Sequence, residues 1–440
     1  MSLHPDLLPL LDADNDWKKA WELIHDHQIS VNLCGKAGTG KSTFLRAIAK
    51  FSKKKVVFTA PTGIAALNIR GVTLHSFFGL PFGPLLPDDP RMIKHNLNAT
   101  KKKIIDKMEL LVIDEISMVR ADVLDAIDLI LRKACKKNIP FGGKQLLLVG
   151  DNFQLEPVVK REEFEILSEY YEHPYYFGSK AFQESNCELV ELKTVYRQTD
   201  DYFISLLNKV RIGAANLTDL DELNSRVVSD KPVVASEGFS IILATRVAVV
   251  AAENMVRLAR ITHPQVCFKA KVEGKYNPNN FPTDENLILK KDAQVIMVKN
   301  DKNRAWVNGS LGKIKEIHDD ELSILLETGK TVVVSRETWE QIEYSFDNET
   351  RKLTETVVGS FVQFPVKLAW AITIHKSQGL TFNNVILNME GGAFAAGQLY
   401  VALSRCRTLE GIQLIQTIKP SDVIVKREVL EFAGLGRYIE

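Results

Sequence analysis

From Gly35 to Thr43 the chain reads Gly-Lys-Ala-Gly-Thr-Gly-Lys-Ser-Thr, after the apolar stretch ISVNLC (29–34) and before STFLRAIAKF. A buried strand, a Gly-x-x-x-x-Gly-Lys-Ser loop and a helix in that order form a phosphate cradle. The glycines let backbone N–H groups approach the oxygens, and the helix N-terminus favours negative charge. Gly35, Lys36, Ala37, Gly38, Thr39, Gly40, Lys41, Ser42 and Thr43 are therefore the candidate binding loop, with Lys41 reaching the β/γ oxygens and Ser42 ligating Mg²⁺. A second apolar run, MELLVIDEISMV (108–119), ends in Asp114-Glu115. Asp114 is placed to hold the Mg²⁺ shell and Glu115 to polarise an attacking water, so hydrolysis is expected and not binding alone. A third run, KQLLLVGDNFQLEPV (144–158), carries Gln154 beyond a strand, where it can sense the γ-phosphate or position the water.

Those residues need a sheet to hold them. Unbroken Leu, Val and Ile runs predict strands buried on both faces of a parallel sheet flanked by helices. At 440 residues, 45% hydrophobic and 25% charged, the chain is an ordinary globular protein too long for one core, so two or more domains are expected. From 266 to 360 short alternating strands separated by turns such as NDKNR and VNG predict a small β-barrel insertion. From 78 to 107 the chain is Pro- and Gly-rich, then basic.

Net charge is +1, so any nucleic-acid surface is local. The runs Lys53 to Lys55, Lys101 to Lys103 and RKACKK (132–137) read as solvated faces. No apolar run is long enough to span a membrane, and the first residues resemble neither a secretory signal nor a transit peptide. Cys34, Cys135, Cys187, Cys267 and Cys406 form no C-x-x-C pair and read as reduced thiols, so a cytoplasmic setting is expected.

Two further stretches carry a resemblance. VVFTAPTGIAALNIRGVTLHSFFGL (56–80) follows the P-loop, and LAWAITIHKSQGLTFNNVIL (368–387) precedes QLYVALSRCRTL (398–409). With VIDEISMV, GDNFQL, VYRQ and WVNGSLG, their order resembles superfamily-one helicases. Within these it is most similar to the petite-integration-frequency (Pif) family of 5′→3′ DNA helicases, relatives of RecD-type helicases. EISMVRADVLDAIDLILRKA (115–134) looks like the segment that separates the Pif group from its RecD-type cousins.

The resemblance implies two RecA-like P-loop motor domains. The first spans 1–192, with a wedge insertion at about 78–107. The second comprises 193–265 and 361–440 and is interrupted by the barrel at 266–360. It further implies that Arg197 and Arg405 are arginine fingers on the γ-phosphate and that Gly379 faces the nucleotide, whereas Arg407 reads as structural. Thr62, Gly63, His75 and Ser76 would grip single-stranded DNA from the first domain, and His375, Lys376 and Ser377 from the second. Phe77, Phe78 and Phe82 are either stacking faces or core.

The implied activity is an ATP- and Mg²⁺-dependent DNA helicase acting as a monomer on tailed or forked DNA, with G-quadruplexes and RNA–DNA hybrids as further substrates. A bacterial, nucleoid-associated setting is implied as well. The alternative is a motor subunit of a RecD-like recombination complex. The adenine-reading glutamine that many relatives carry before the P-loop has no clear counterpart in DADNDWKKAWELIHDHQISV (12–31).

Overall fold

The computed structural model describes residues 6–81, 83–87, 89–93, 97–198, 200–228, 239–278, 281–303, 305–346 and 353–436; Phe82 lies outside them. The chain divides into two compact units. One is Met1–Arg197 with Ile342–Thr356 and Glu431–Gly434; the other is Gln198–Gln341 with Val357–Leu430 and Leu435–Glu440.

In the first unit six parallel strands form one sheet: β1 (Val31–Gly35), β2 (Val56–Ala60), β3 (Val72–Thr73), β4 (Leu110–Ile113), β5 (Gln145–Gly150) and β6 (Glu188–Leu192). Their spatial order is β3-β2-β4-β5-β1-β6. The central strands β1, β4 and β5 are buried along their whole length; β4 is all apolar, and the polar residues of the other two, Asn32 and Gln145, are hydrogen-bonded inside. In-phase pairing (Leu110↔Gln145, Val31↔Leu147) brings the loops after all three strands to one sheet edge.

Helices α1 (Leu8–Asp12) and α2 (Asn15–His25) precede the sheet, and α3 (Lys41–Phe51) follows the phosphate loop. Asp14 caps α2 by accepting the N–H groups of Asp16 and Trp17 at 2.9 and 3.2 Å. This fixes the start of a helix whose Trp17 and Trp21 meet Phe44 of α3 edge-on at 5.4 and 6.5 Å.

Helices α4 (Gly63–Asn68) and α5 (Leu74–Phe78) flank β3; α6 (Pro90–Ile93) and α7 (Ala99–Lys107) lie in the stretch read as an insertion; α8 (Ala121–Cys135) follows β4. Two lysines of the supposed solvated runs are tied down. Lys101 Nζ donates to the Ser76 carbonyl at 2.6 Å, and Lys133 Nζ to that of Met92 at 3.1 Å.

The sequence reading ended the first domain at 192, whereas the first unit continues to Arg197. The Tyr196 N–H donates to the Gly38 carbonyl (2.8 Å) and its hydroxyl to Asp14 Oδ2 (3.0 Å), which holds this strip on the phosphate loop.

The second unit has β7 (Ile241–Ala244), β8 (Val266–Lys269), β9 (Lys271–Gly274), β10 (Asn286–Leu289), β11 (Gln294–Met297), β12 (Leu311–Ile317), β13 (Glu321–Leu326) and β14 (Thr331–Ser335). After them come β15 (Glu337–Phe346) and β16 (Leu353–Gln363), which the division into units cuts because Ile342–Thr356 count with the first, and then β17 (Val366–Leu368), β18 (Ala371–Thr373), β19 (Val385–Asn388) and β20 (Ile412–Leu414). A parallel sheet runs β18-β7-β19-β20 and an antiparallel one β14-β13-β12-β11-β17. The antiparallel sheet shares a core with the β8–β10 ribbon: Phe268, Leu287, Val295, Ile324 and Phe364 pack together. It takes in β17, beyond the expected end at 360.

At the joint between the two sheets, Gln294 Nε2 donates to the carbonyls of Ser240 (2.6 Å) and Ala369 (2.7 Å). Asn254, on the helix Val247–Arg260, accepts the N–H groups of Trp370 and Ala371 at 3.0 Å each and donates to the Ala371 carbonyl at 2.8 Å.

Candidate nucleotide and nucleic-acid site

The phosphate loop is shaped by what its glycines avoid. A Cβ at Gly35 would lie 2.5 Å from Thr39 Oγ1 and 3.3 Å from the Leu192 carbonyl. Gly40, at φ +85°, lies where a Cβ would meet the Trp17 ring at 3.0 Å. It serves as the N-cap of α3, its carbonyl accepting the N–H groups of Thr43 and Phe44 at 2.9 Å each. Lys41 folds back over the loop, its Nζ donating to the carbonyls of Gly35 (2.7 Å) and Lys36 (2.9 Å).

Burial pulls the Lys41 ammonium below its usual pKa; Asp151, Glu115 and Asp114 oppose that shift, and the positive charge of Arg197 reinforces it. The charges of those four groups therefore all reach the lysine. Asp114 is pushed up to about 7, by withdrawal from water first and by the neighbouring Glu115 second. The Glu115 N–H donates to Asp114 Oδ1 at 2.9 Å, which eases part of that cost. Glu115 itself sits in the left-handed region (φ 50°, ψ 46°), unusual for a non-glycine residue and common where a side chain is aimed for function.

Gln154 is buried on the loop after β5, its N–H on the Asp151 carbonyl (3.0 Å) and its Nε2 on Asp151 Oδ2 (3.4 Å). Sequence reasoning singled out Gln154 and passed over Asp151, the fully buried carboxylate of the same Gly-Asp-x-x-Gln turn. An acidic residue directly after an all-apolar strand was the available signal.

Thr62 caps α4 through the Ala65 N–H (3.2 Å), with Gly63 as the first helical residue. His75 and Ser76 sit on α5, Ser76 exposed and His75 held below its usual pKa by burial and then by Arg120. Phe77 is buried against Phe78, edge-on at 4.8 Å, so of the two roles considered for these rings the packing role is the one filled in this structure.

In the second unit His375–Ser377 form a single 3-10 turn just beyond β18. Lys376 is exposed; Ser377 is buried, its hydroxyl donating to the Ile374 carbonyl at 2.7 Å. Gly379 has φ +78° and open space where a Cβ would go, so the backbone conformation alone calls for glycine.

Arg405 is 1% exposed. Its Nε donates to the Val401 carbonyl (2.9 Å), Nη1 to those of Ser377 and Leu380 (3.3 Å each), and Nη2 to Ser404 Oγ (2.8 Å). It thus grips the turn read as a DNA contact, a link that the sequence alone does not reveal. Arg407 is exposed.

Lys41, Asp114, Glu115, Arg197 and the Gln154–Asp151 pair therefore lie within the first unit; His375, Lys376, Ser377, Gly379 and Arg405 lie within the second. Among the described residues no group of three or more His, Cys, Asp or Glu could hold a metal, and no helix is long and apolar enough to cross a membrane.

Comparison with known proteins places this arrangement. Residues 15–221 match the PIF1-like helicase family and residues 368–409 the UvrD-like helicase C-terminal domain. The chain is 34% identical to Homo sapiens "ATP-dependent DNA helicase PIF1" over 92% of its own length, but it spans only 60% of that protein and 61% of the rat relative. Against the Campylobacter jejuni "ATP-dependent DNA helicase Pif1" identity is 32%, covering 89% of each chain. Bacteroides sp. Pif1 in complex with ADP-AlF4 superposes with a TM-score of 0.88, at 38% identity and 96% coverage of both chains. The ssDNA-bound Bacteroides Pif1 gives 0.69 at 39% identity, covering 95% of this chain and 96% of that one. With two parallel α/β units carrying the helicase motifs in order, and near full-length similarity to bacterial relatives, the chain belongs to the PIF1-like helicase family.

Proposed function

We propose that this chain is an ATP-dependent DNA helicase that translocates 5′→3′ along single-stranded DNA and parts duplex or forked DNA. The observation that carries the reading is that the buried phosphate-loop Lys41 feels the charges of three carboxylates, Asp151, Glu115 and Asp114, and of Arg197. A loop that only binds nucleotide needs the lysine; one that hydrolyses it also needs carboxylates to hold a metal and direct a water. The ADP-AlF4 and ssDNA complexes of the Bacteroides relative agree with both halves of the proposal.

The Ser42 hydroxyl and the Asp114 carboxylate are hard oxygen donors suited to Mg²⁺, which keeps most of its other ligands as water and phosphate. When bound, the ion neutralises charge on the β- and γ-oxygens. Lys41 orients the phosphates, Glu115 draws the proton from the attacking water, and Gln154 aligns that water. Arg197 and Arg405 would steady charge on the departing phosphoryl group, Arg405 by giving up bonds to its own unit. Gly379 would face the nucleotide.

Thr62, Gly63, His75, Ser76, His375, Lys376 and Ser377 would hold the DNA backbone. In this structure the Ser377 N–H and hydroxyl both donate to the Ile374 carbonyl, at 3.1 and 2.7 Å. The motor domains are 1–192 and 193–265 with 361–440, the inserted barrel is 266–360, and about 78–107 forms a wedge at the fork. G-quadruplexes and RNA–DNA hybrids are further candidate substrates, the acting form is a monomer, and the setting is the bacterial nucleoid.

The test is strand separation on two matched duplexes, one with a 5′ and one with a 3′ single-stranded tail, with ATP and Mg²⁺. Unwinding of the 5′-tailed duplex alone supports the proposal, and unwinding only from the 3′ tail refutes the polarity. No unwinding, with DNA-stimulated ATP hydrolysis intact, favours the RecD-like subunit of a larger complex.

A further inference from the structure

Beyond the turn at His375, the second unit carries an aromatic ring that none of the helicase motifs accounts for. Phe394 lies in the glycine- and alanine-rich stretch GGAFAAG (391–397) and is 61% exposed. One exposed apolar side chain is unremarkable alone. Three features set this one apart.

Its backbone is pinned. The Phe394 N–H donates to Gln398 Oε1 (3.1 Å), the Ala393 N–H to Asp422 Oδ1 (2.9 Å), and the Gly392 N–H to the Met389 carbonyl (2.7 Å). Gln398 and Asp422 are themselves buried, so a rigid loop holds the ring out in solvent. The ring is also nearly parallel to His375, at 18° and 6.3 Å between centroids. Burial keeps the His375 imidazole below its usual pKa. Finally, two cations lie near, although the exposed Glu390 precedes Gly391 in the same loop. Lys376 is exposed beside His375, and the Arg246 guanidinium packs against Gly391, where a Cβ would meet Nη2 at 2.6 Å.

We propose that Phe394 is the base-stacking platform of the second unit, taking one nucleobase of the single strand while Lys376 and Arg246 draw in the adjoining phosphates. Aromatic faces next to cations are how proteins hold single strands without reading sequence, because every base has a π-face. The proposal rests on the helicase reading above and adds a contact to it. The remaining large aromatics of the motif helices do not fill this role, since Phe77 and Phe78 are buried.

The experiment is nucleotide-free binding, by fluorescence anisotropy, to oligo-dT and to an abasic oligonucleotide of the same length, for wild type, Phe394→Ala and Phe394→Trp. Stacking on one base corresponds to about a 5- to 150-fold loss of oligo-dT affinity in Phe394→Ala. The abasic strand is expected to bind wild type and Phe394→Ala alike, and Phe394→Trp is expected to restore oligo-dT binding. Equal oligo-dT affinity in wild type and Phe394→Ala overturns the proposal. So does an equal loss on both strands, which would mean a phosphate contact or a disturbed fold; thermal melting of the variant separates those two. Failure of wild type to bind either strand would instead refute the helicase reading on which the proposal depends.

Discussion

Replacing Arg405 by alanine removes a guanidinium that joins three backbone carbonyls and a hydroxyl inside the second unit. Not all of those acceptors are orphaned. The Val401 carbonyl keeps the Ser404 hydroxyl at 3.0 Å, and the Ser377 carbonyl keeps the Leu380 N–H at 3.0 Å. The Leu380 carbonyl loses its charged donor, a cost of about 1–3 kcal/mol for a buried acceptor. The space left by the buried aliphatic stem adds about 1–2 kcal/mol. The sum is about 3 kcal/mol, or a fall of roughly 6–12 °C in the melting temperature of a unit this size. Two measurements check it: thermal unfolding, and hydrogen exchange at the Leu380 amide, whose bond to Ser377 closes the turn. Arg407→Ala, at an exposed side chain, is the control and is expected to stay within about 0.5 kcal/mol of wild type. An Arg405→Ala protein that melts with wild type and keeps its Leu380 amide equally protected would refute the reasoning. ATP turnover, read in parallel, is expected to fall by about 10³–10⁵ if the same group is also the finger.

Lys41→Ala is expected to abolish ATP hydrolysis while leaving oligo-dT affinity within about twofold of wild type, since its contacts lie in the phosphate loop; turnover and anisotropy on one preparation decide this. Gly35→Ala forces a Cβ to 2.5 Å from Thr39 Oγ1 and is expected to cost about 1–3 kcal/mol and weaken nucleotide binding, read by melting and by titration with a fluorescent ATP analogue. His25, His75 and His375 are all held below the usual 6.5 by burial. A depressed folded pKa gives stability that is full above 6.5 and is lost as pH falls through the folded values. The melting temperature should therefore drop between pH 7.5 and 5.5, and His25→Gln, which removes the imidazole bonded to Trp21 and Ser52, should flatten part of that slope.

What could be read from the sequence was whatever short-range pattern determines. The three buried strands, the phosphate loop and the antiparallel segment follow from largely apolar or alternating residues and from glycine spacing; the structure has the strands and the loop within a residue or two, while the antiparallel sheet runs on past 360 to Leu368. What could not be read depends on pairs far apart in the chain. Asp14 and Tyr196 meet across the whole first unit, so nothing local told that the strip before Arg197 stays with the phosphate loop. The Arg405 bonds to Ser377 and Leu380 are of the same kind. Phe77 sits among residues that read equally well as grip or as core, and only packing distinguishes them. Asp151 was visible, one residue past its strand, and was overlooked in favour of the more distinctive glutamine.

The joint at Ala369 and Trp370 has a mechanical meaning. A hinge needs residues whose dihedrals are free to change, and here the chain passes from β17 of the antiparallel sheet to β18 of the parallel sheet with both linking residues bound to Gln294 and Asn254. Such a connection has no slack. The turn at the end of β18 and the five-stranded sheet are therefore tied at one short, fully bonded link, with β17 at the sheet's edge next to it and β14 at the opposite edge.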